Sequence, residues 1–144
     1  MSKRKEILDE IKRRVDACTI TIGTTTVEFA SYIGYRASEI IGGRVVTFIE
    51  PESAEGNGIN DDVSVDYVVK VGAFFTGSTV DQKIYHIVAI EDAILKALLD
   101  EQYLMNTSGQ ELCSYIRFIS QEEIYDDTEN NIAVLMRFGI GTII

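Results

Sequence analysis

The sequence predicts an α+β fold: a mainly antiparallel sheet of two hairpins, with an N-terminal helix and a central helix packed on one face. Three stretches carry that expectation. In residues 63–75, Val63, Val65, Tyr67, Val69, Val71 and Ala73 share one face, while Ser64, Asp66, Lys70 and Gly72 share the other with Val68 and Phe74. A period of two marks a strand with one face on a core. In residues 80–99 the step lengthens to three and four, and Ile84, Ile87, Val88, Ile94, Leu95 and Leu98 form an apolar stripe, with Lys83, Glu91, Asp92 and Lys96 mostly opposite. Residues 132–144 alternate again: Val134, Met136, Phe138 and Ile140 face one way, and Ala133, Leu135, Arg137, Gly139 and Gly141 the other. A strand feeding a helix that lies back across its own sheet is the nucleus of such a domain. With 144 residues, the chain reads as one domain, 1–144, long enough to bury a core unaided.

In chain order, Lys3 to Ala17 reads as the first helix, with Ile7, Leu8, Ile11 and Val15 as its apolar stripe. Thr19 to Ile22 is a short alternating strand. A threonine-rich turn follows, and Val27 to Tyr35 fits a second strand or a loop. The two tyrosines of Tyr32–Arg36 suit a packed loop or an interface equally. Arg44 to Ile49 is a strand, expected to stop at Pro51, the one proline of the chain, because proline cannot continue a ladder. Residues 50–62 are polar, acidic and glycine-containing, and read as a flexible loop joining Val45–Ile49 to Val63–Phe75 in an extended antiparallel hairpin. Ser78 with Asp81, or Thr79 with Gln82, has capping-box spacing for the central helix. Leu112 to Ser120 is a strand whose inward face alternation does not decide, since Leu112, Ile116 and Phe118 compete with Cys113, Tyr115 and Ile119. The acidic turn 122–131 closes the second hairpin.

The formal charge of −10 argues against general nucleic-acid affinity, which needs an excess of Lys and Arg. The charge is uneven. Residues 1–16 hold six bases and four acids, a local +2, which leaves seven bases and nineteen acids, a local −12, for the remainder. Attraction between the basic start of one copy and the acidic body of another follows as one reading, and a solvated helix face as the other. The two cysteines, Cys18 and Cys113, are far apart and read as reduced, semi-buried thiols. No apolar run approaches the ~20 residues of a membrane span, and charges occupy the place a secretory signal would need to be hydrophobic. A soluble chain made in a cytoplasm is expected.

Catalytic signatures are sparse. His86, the single histidine, lies within the central helix without an acid or cysteine at i±4 and reads as a partly buried helix residue. Neither cysteine has nucleophile-elbow glycines. There is no phosphate loop or dinucleotide fingerprint, and soft ligands are too few for zinc. Two acidic clusters could hold a hard cation: Glu55 with Asp61 and Asp62, and Asp126 and Asp127 with Glu129. The first lacks the alternate-position acids of a calcium loop, and solvated turn acids are the simpler reading of both. Gly139 and Gly141 leave one face of the last strand bare. That suits close approach by another backbone or side chain, such as a neighbouring subunit, or a bulge near the chain end.

The order of elements resembles the tail terminator proteins of long-tailed bacteriophages, also called tail completion or minor tail proteins. The likeness runs from the basic amphipathic first helix through the strand Val45–Glu50, the long acidic glycine-containing segment and the alternating strand Val63–Phe75. It continues through the helix Val80–Leu99 to the acidic-turned final hairpin. It is most evident over Arg44–Ile144 and weakest over Gly23–Gly43, and it rests on pattern rather than on a short motif. The resemblance implies a structural virion protein at the head–tail junction. Such a protein forms a hexameric ring that caps the tail tube, ends tube polymerisation and provides the head-joining surface. It implies a tail tube protein and a head-closure or connector protein as partners, DNA passing through the lumen, and no catalytic residues or cofactor. Separately, the negative charge of the chain leads to the expectation that magnesium assists assembly.

Candidate subunit contacts are then Lys12, Arg13 and Arg14 from the basic start, Glu55, Asp61, Asp62, Asp126 and Asp127 from the acidic segments, and Gly139 and Gly141. Two alternatives stand beside this reading. One is another neck or connector ring protein. The other is a small metal-dependent enzyme or ligand-binding domain using one acidic cluster, which Asn substitutions at Asp61, Asp62, Asp126 and Asp127 would disable.

Overall fold

A computed structural model describes residues 3–40, 42–59, 62–77, 82–100, 104–105, 108–126 and 131–143. The elements run α1 (Lys3–Asp16), β1 (Thr19–Ile22), β2 (Thr25–Ile33), a 3-10 turn (Ala37–Glu39), β3 (Val45–Ile59), β4 (Asp62–Thr76), α2 (Lys83–Leu99), β5 (Tyr115–Asp126) and β6 (Asn131–Ile143). The strands form one curled six-stranded sheet in the order β1-β2-β3-β4-β6-β5. Both expected hairpins are present, β3 with β4 and β5 with β6, joined by β4 pairing antiparallel with β6.

The sheet is nevertheless mixed, and the expectation of a mainly antiparallel two-hairpin sheet is corrected. β2 runs parallel to β3, Phe29 opposite Val45 through Ile33 opposite Ile49, while β1 pairs antiparallel with β2 outside it. Parallel neighbours need a connection that crosses back over the sheet, and residues 34–44 supply it. Tyr35 stacks edge-on against Phe48 with centroids 5.0 Å apart and lies 5.9 Å from Phe74. Tyr32 joins them beside Phe48. The two tyrosines therefore anchor a packed crossover.

Pro51 does not end its strand. β3 does not stop there but continues to Ile59, paired with β4 throughout and irregular between Pro51 and Ser53. The proline is tolerated because β2 pairs only as far as Ile49, so Pro51 lies where β3 has a strand on one side only, and a bulge takes up the misfit. Residues 50–59 are thus the outer half of a long strand, not a flexible loop.

The core lies between one sheet face and the two helices. Ile7, Ile11 and Val15 of α1 and Ile87, Ile90, Ile94 and Leu98 of α2 meet Val45, Ile49, Val69, Val71, Val134, Met136 and Phe138. Burying such side chains contributes about 1.5–3 kcal/mol each. The α1 stripe keeps Ile7, Ile11 and Val15 as the sequence predicts, with Leu8 only half-buried and Glu10 buried. The α2 stripe is rotated: Ile84 is 64% exposed and Val88 is exposed, while Lys83 (3%) and Glu91 (7%) are buried. The proposed capping residues Ser78, Thr79 and Asp81 lie outside the described residues. Gln82 occupies the cap position with no side-chain cap hydrogen bond.

The inward face of β5 is settled by a bulge between Phe118 and Ser120. Ile116 and Phe118 oppose Ile140 and Phe138 on the helix-covered face. After the extra residue Ile119, that face passes to Gln121, Glu123 and Tyr125. Neither alternation in the sequence runs through the strand because the strand changes phase.

Candidate assembly surface

β5 is the outermost strand beyond β6, and along it Tyr115, Phe118, Ile119, Ile124 and Tyr125 are exposed. α2 lies over this end of the sheet. Ile84, Val88, Glu91 and Leu95 follow one another at four-, three- and four-residue steps and so line one flank of the helix. Glu91 fixes which flank, because its Oε2 accepts a hydrogen bond from Gln121 Nε2 on β5 at 3.1 Å. The stripe therefore overhangs the β5 edge, with Tyr85 (75% exposed) further round the helix. Phe118 and Tyr125 share the helix-covered face with Ile84 and Val88, whereas Tyr115 and Ile124 lie on the other face. Exposed apolar side chains beside an edge strand with unpaired backbone groups suit an interaction site.

Beneath the overhang sits a carboxylate pair. Gln121 Nε2 also donates to Glu123 Oε1 at 3.4 Å, and the Tyr125 hydroxyl donates to Glu123 Oε2 at 2.8 Å. Burial, and then the adjoining Glu123 carboxylate, push the Glu91 carboxyl up from 4.5 to about 7, against a smaller opposing pull from the Gln121 amide. A proton shared by the two carboxylates satisfies both. The Tyr125 hydroxyl is raised, chiefly by its hydrogen bond to Glu123.

The residues singled out from sequence fall in several places. Arg13 and Arg14 are drawn to Glu10 of their own helix, Arg14 Nε at 3.3 Å. Burial raises Glu10, but the hydrogen bonds and charges of Arg13 and Arg14 outweigh it, so its pKa is lowered. Lys12 is half-buried beside them. Glu55 and Asp62 take their places in β3 and β4, and Asp126 ends β5. Asp61, Asp127 and Glu129 lie outside the described residues. Among the described residues, no group of three or more His, Cys, Asp or Glu is placed to hold a metal ion.

Gly139 and Gly141 do receive a close approach, from within the chain. A Cβ on Gly139 would lie 2.8 Å from Arg117 Nε, and one on Gly141 would collide with the Tyr115 ring. The Tyr115 hydroxyl reaches over Gly141 to hydrogen-bond Asp66 on β4. The bare glycine face is thus the bed on which two β5 side chains lie.

His86 is buried edge-on against the Phe75 ring at 5.3 Å, and burial lowers its pKa. Cys18 and Cys113 are free thiols. Burial pushes Cys18 up to about 11 and raises Cys113, which keeps both protonated and unreactive at neutral pH. A cleft of about 410 Å³ beside β2 contains Glu28 and Arg44 as its ionisable lining.

Sequence reasoning missed the Glu91–Gln121–Glu123 cluster. Its signal was an acid inside an otherwise apolar stripe at helical spacing. No helix among the described residues is long and apolar enough to cross a membrane. The sequence matches no protein-family model and no curated protein.

Proposed function

We propose that the chain is a structural assembly protein of a long-tailed bacteriophage. Copies of it form a ring, hexameric in the family it resembles, that caps the tail tube and presents the surface for head joining. The observation that carries this reading is the apolar overhang of α2 above the exposed edge of β5, a surface suited to protein contacts. The resemblance in element order supplies the kind of assembly. The partners are further copies of the chain, the tail tube protein and a head-closure or connector protein, within the virion at the head–tail junction. DNA passes through a lumen whose acidic lining does not hold it.

Charge regulates this assembly. Six copies at −10 each bring a formal −60 into one ring, and their repulsion opposes closure at low ionic strength. Magnesium, or a tube end that aligns subunits, offsets that repulsion. The test is the particle mass by sedimentation velocity in millimolar magnesium and in low-salt chelator. Ring-sized particles in magnesium and small species in chelator are expected. Equal ring formation in both buffers would remove the charge argument, and ring-sized particles in neither would remove the ring reading.

A further inference from the structure

The β5 edge is complementary to itself. We infer that two copies of this chain pair through β5 about a two-fold axis, extending the sheet from one chain into the next. Facing residues of an antiparallel pair share a sheet face, and the bulge at Ile119 fixes the faces along β5. Tyr115 and Arg117, opposite Gly141 and Gly139, lie on the face away from the helices, as do Glu122 and Ile124, opposite Leu135 and Ala133. Ile116, Phe118, Gln121 and Glu123 lie on the helix-covered face.

A two-fold axis between Ile119 and Ser120 sets Arg117 of each copy opposite Glu122 of the other, and Tyr115 opposite Ile124. On the helix-covered face it sets Phe118 opposite Gln121. These pairs, and Ile116 opposite Glu123, are face-matched, with the bulge residue Ile119 and Ser120 flanking the axis. The contact brings two opposite-charge pairs, formed as each Arg117 side chain swings off its bed over Gly139, a combination that stabilises neighbouring strands. Each Tyr115 ring stays over Gly141, tied to Asp66, with Ile124 of the other copy beside it. Because the axis makes the contact isologous, each pair occurs twice. The α2 overhang adds to it, since the partner's β5 enters beneath Ile84, Val88 and Leu95 and removes that apolar surface from water.

The pair uses the same edge as the ring reading in a different way, and a copy paired so has that edge closed to a ring. An isologous contact closes at two copies, whereas a polar ring needs head-to-tail contacts. The test is sedimentation of the full chain over a range of concentrations in ~0.15 M salt with chelator, where like-charge repulsion is screened within ~8 Å. A monomer–dimer equilibrium is expected. Arg117→Glu and Glu122→Arg should each weaken the dimer about tenfold or more, and the double exchange should return it to within a few-fold of the original.

Hydrogen exchange on the unaltered chain gives a check free of folding artefacts, because β5 amides should gain protection as concentration rises. Monomers at every concentration would overturn the inference. So would a dimer indifferent to both single changes, a double exchange no better than its parts, or larger rings with β5 amides unprotected.

Discussion

Replacing Glu91 by Gln tests the reading of the helix–edge junction. In the folded chain the Glu91 carboxyl is raised from 4.5 to about 7, first by burial and then by Glu123. The folded state therefore holds a proton that the unfolded state has released between those two values. Its contribution is fully present below pH 4.5, falls as the pH rises towards 7, and is gone above it. A displacement from 4.5 to about 7 is worth roughly 3 kcal/mol in the limit. Glu123 stands on an exposed strand, where water screens its share, which reduces the effect to ~2 kcal/mol. The amide introduced by Glu91→Gln keeps an oxygen to accept from Gln121 and gains N–H groups that can donate to Glu123.

The variant should therefore be more stable than the parent by ~2 kcal/mol at pH 8, a rise of several degrees in Tm. The gap should fall below ~1 kcal/mol at pH 5. Thermal and urea unfolding of both chains across that range measures it. Equal stabilities at pH 8, or a variant weaker at every pH, would refute the idea that burial and Glu123 make ionisation of Glu91 costly.

Further outcomes follow from the packing. The Ser31 and Thr47 hydroxyls hydrogen-bond one another in the buried β2–β3 contact, so Thr47→Val should cost about 1–2 kcal/mol in urea unfolding by orphaning Ser31. Gly141→Ala should cost ~2 kcal/mol and expel the Tyr115 ring from Asp66, whereas Gly139→Ala should cost less because the long Arg117 side chain can move aside. Adding Tyr115→Ala to Gly141→Ala should recover part of the loss. Ile84→Ser and Tyr85→Ser should leave unfolding free energy within ~0.5 kcal/mol, both being solvent-facing, while lowering the yield of particles formed in magnesium.

The fold was legible wherever one period ran undisturbed. The alternation of Val63–Phe75 and Val134–Ile140 gave β4 and β6 their faces, and Ile7, Ile11 and Val15 gave α1 its stripe, because each of these elements has one buried side. α2 was harder. Its first turns carry apolar residues nearly all round, so Ile84 and Val88 fit a stripe as well as Ile90 does, and tertiary packing decided for Ile87 and Ile90. Pro51 reads as a stop because a sequence does not reveal which strand flank lacks a neighbour. The parallel pairing of β2 with β3 depends on a crossover held by Tyr35 against Phe48 and Phe74, a contact between residues distant along the chain. The assembly surface was hidden for related reasons: Glu91 meets Gln121 only once α2 lies across β5, and the bulge at Ile119 erased the alternation that would have shown two faces.

A ring-forming assembly subunit is visible as such: negative-stain electron microscopy of the purified protein, with and without millimolar magnesium, should show closed sixfold rings with a DNA-wide central hole in magnesium, and particles no larger than a dimer in chelator. Particles of one or two chains in both buffers would contradict it.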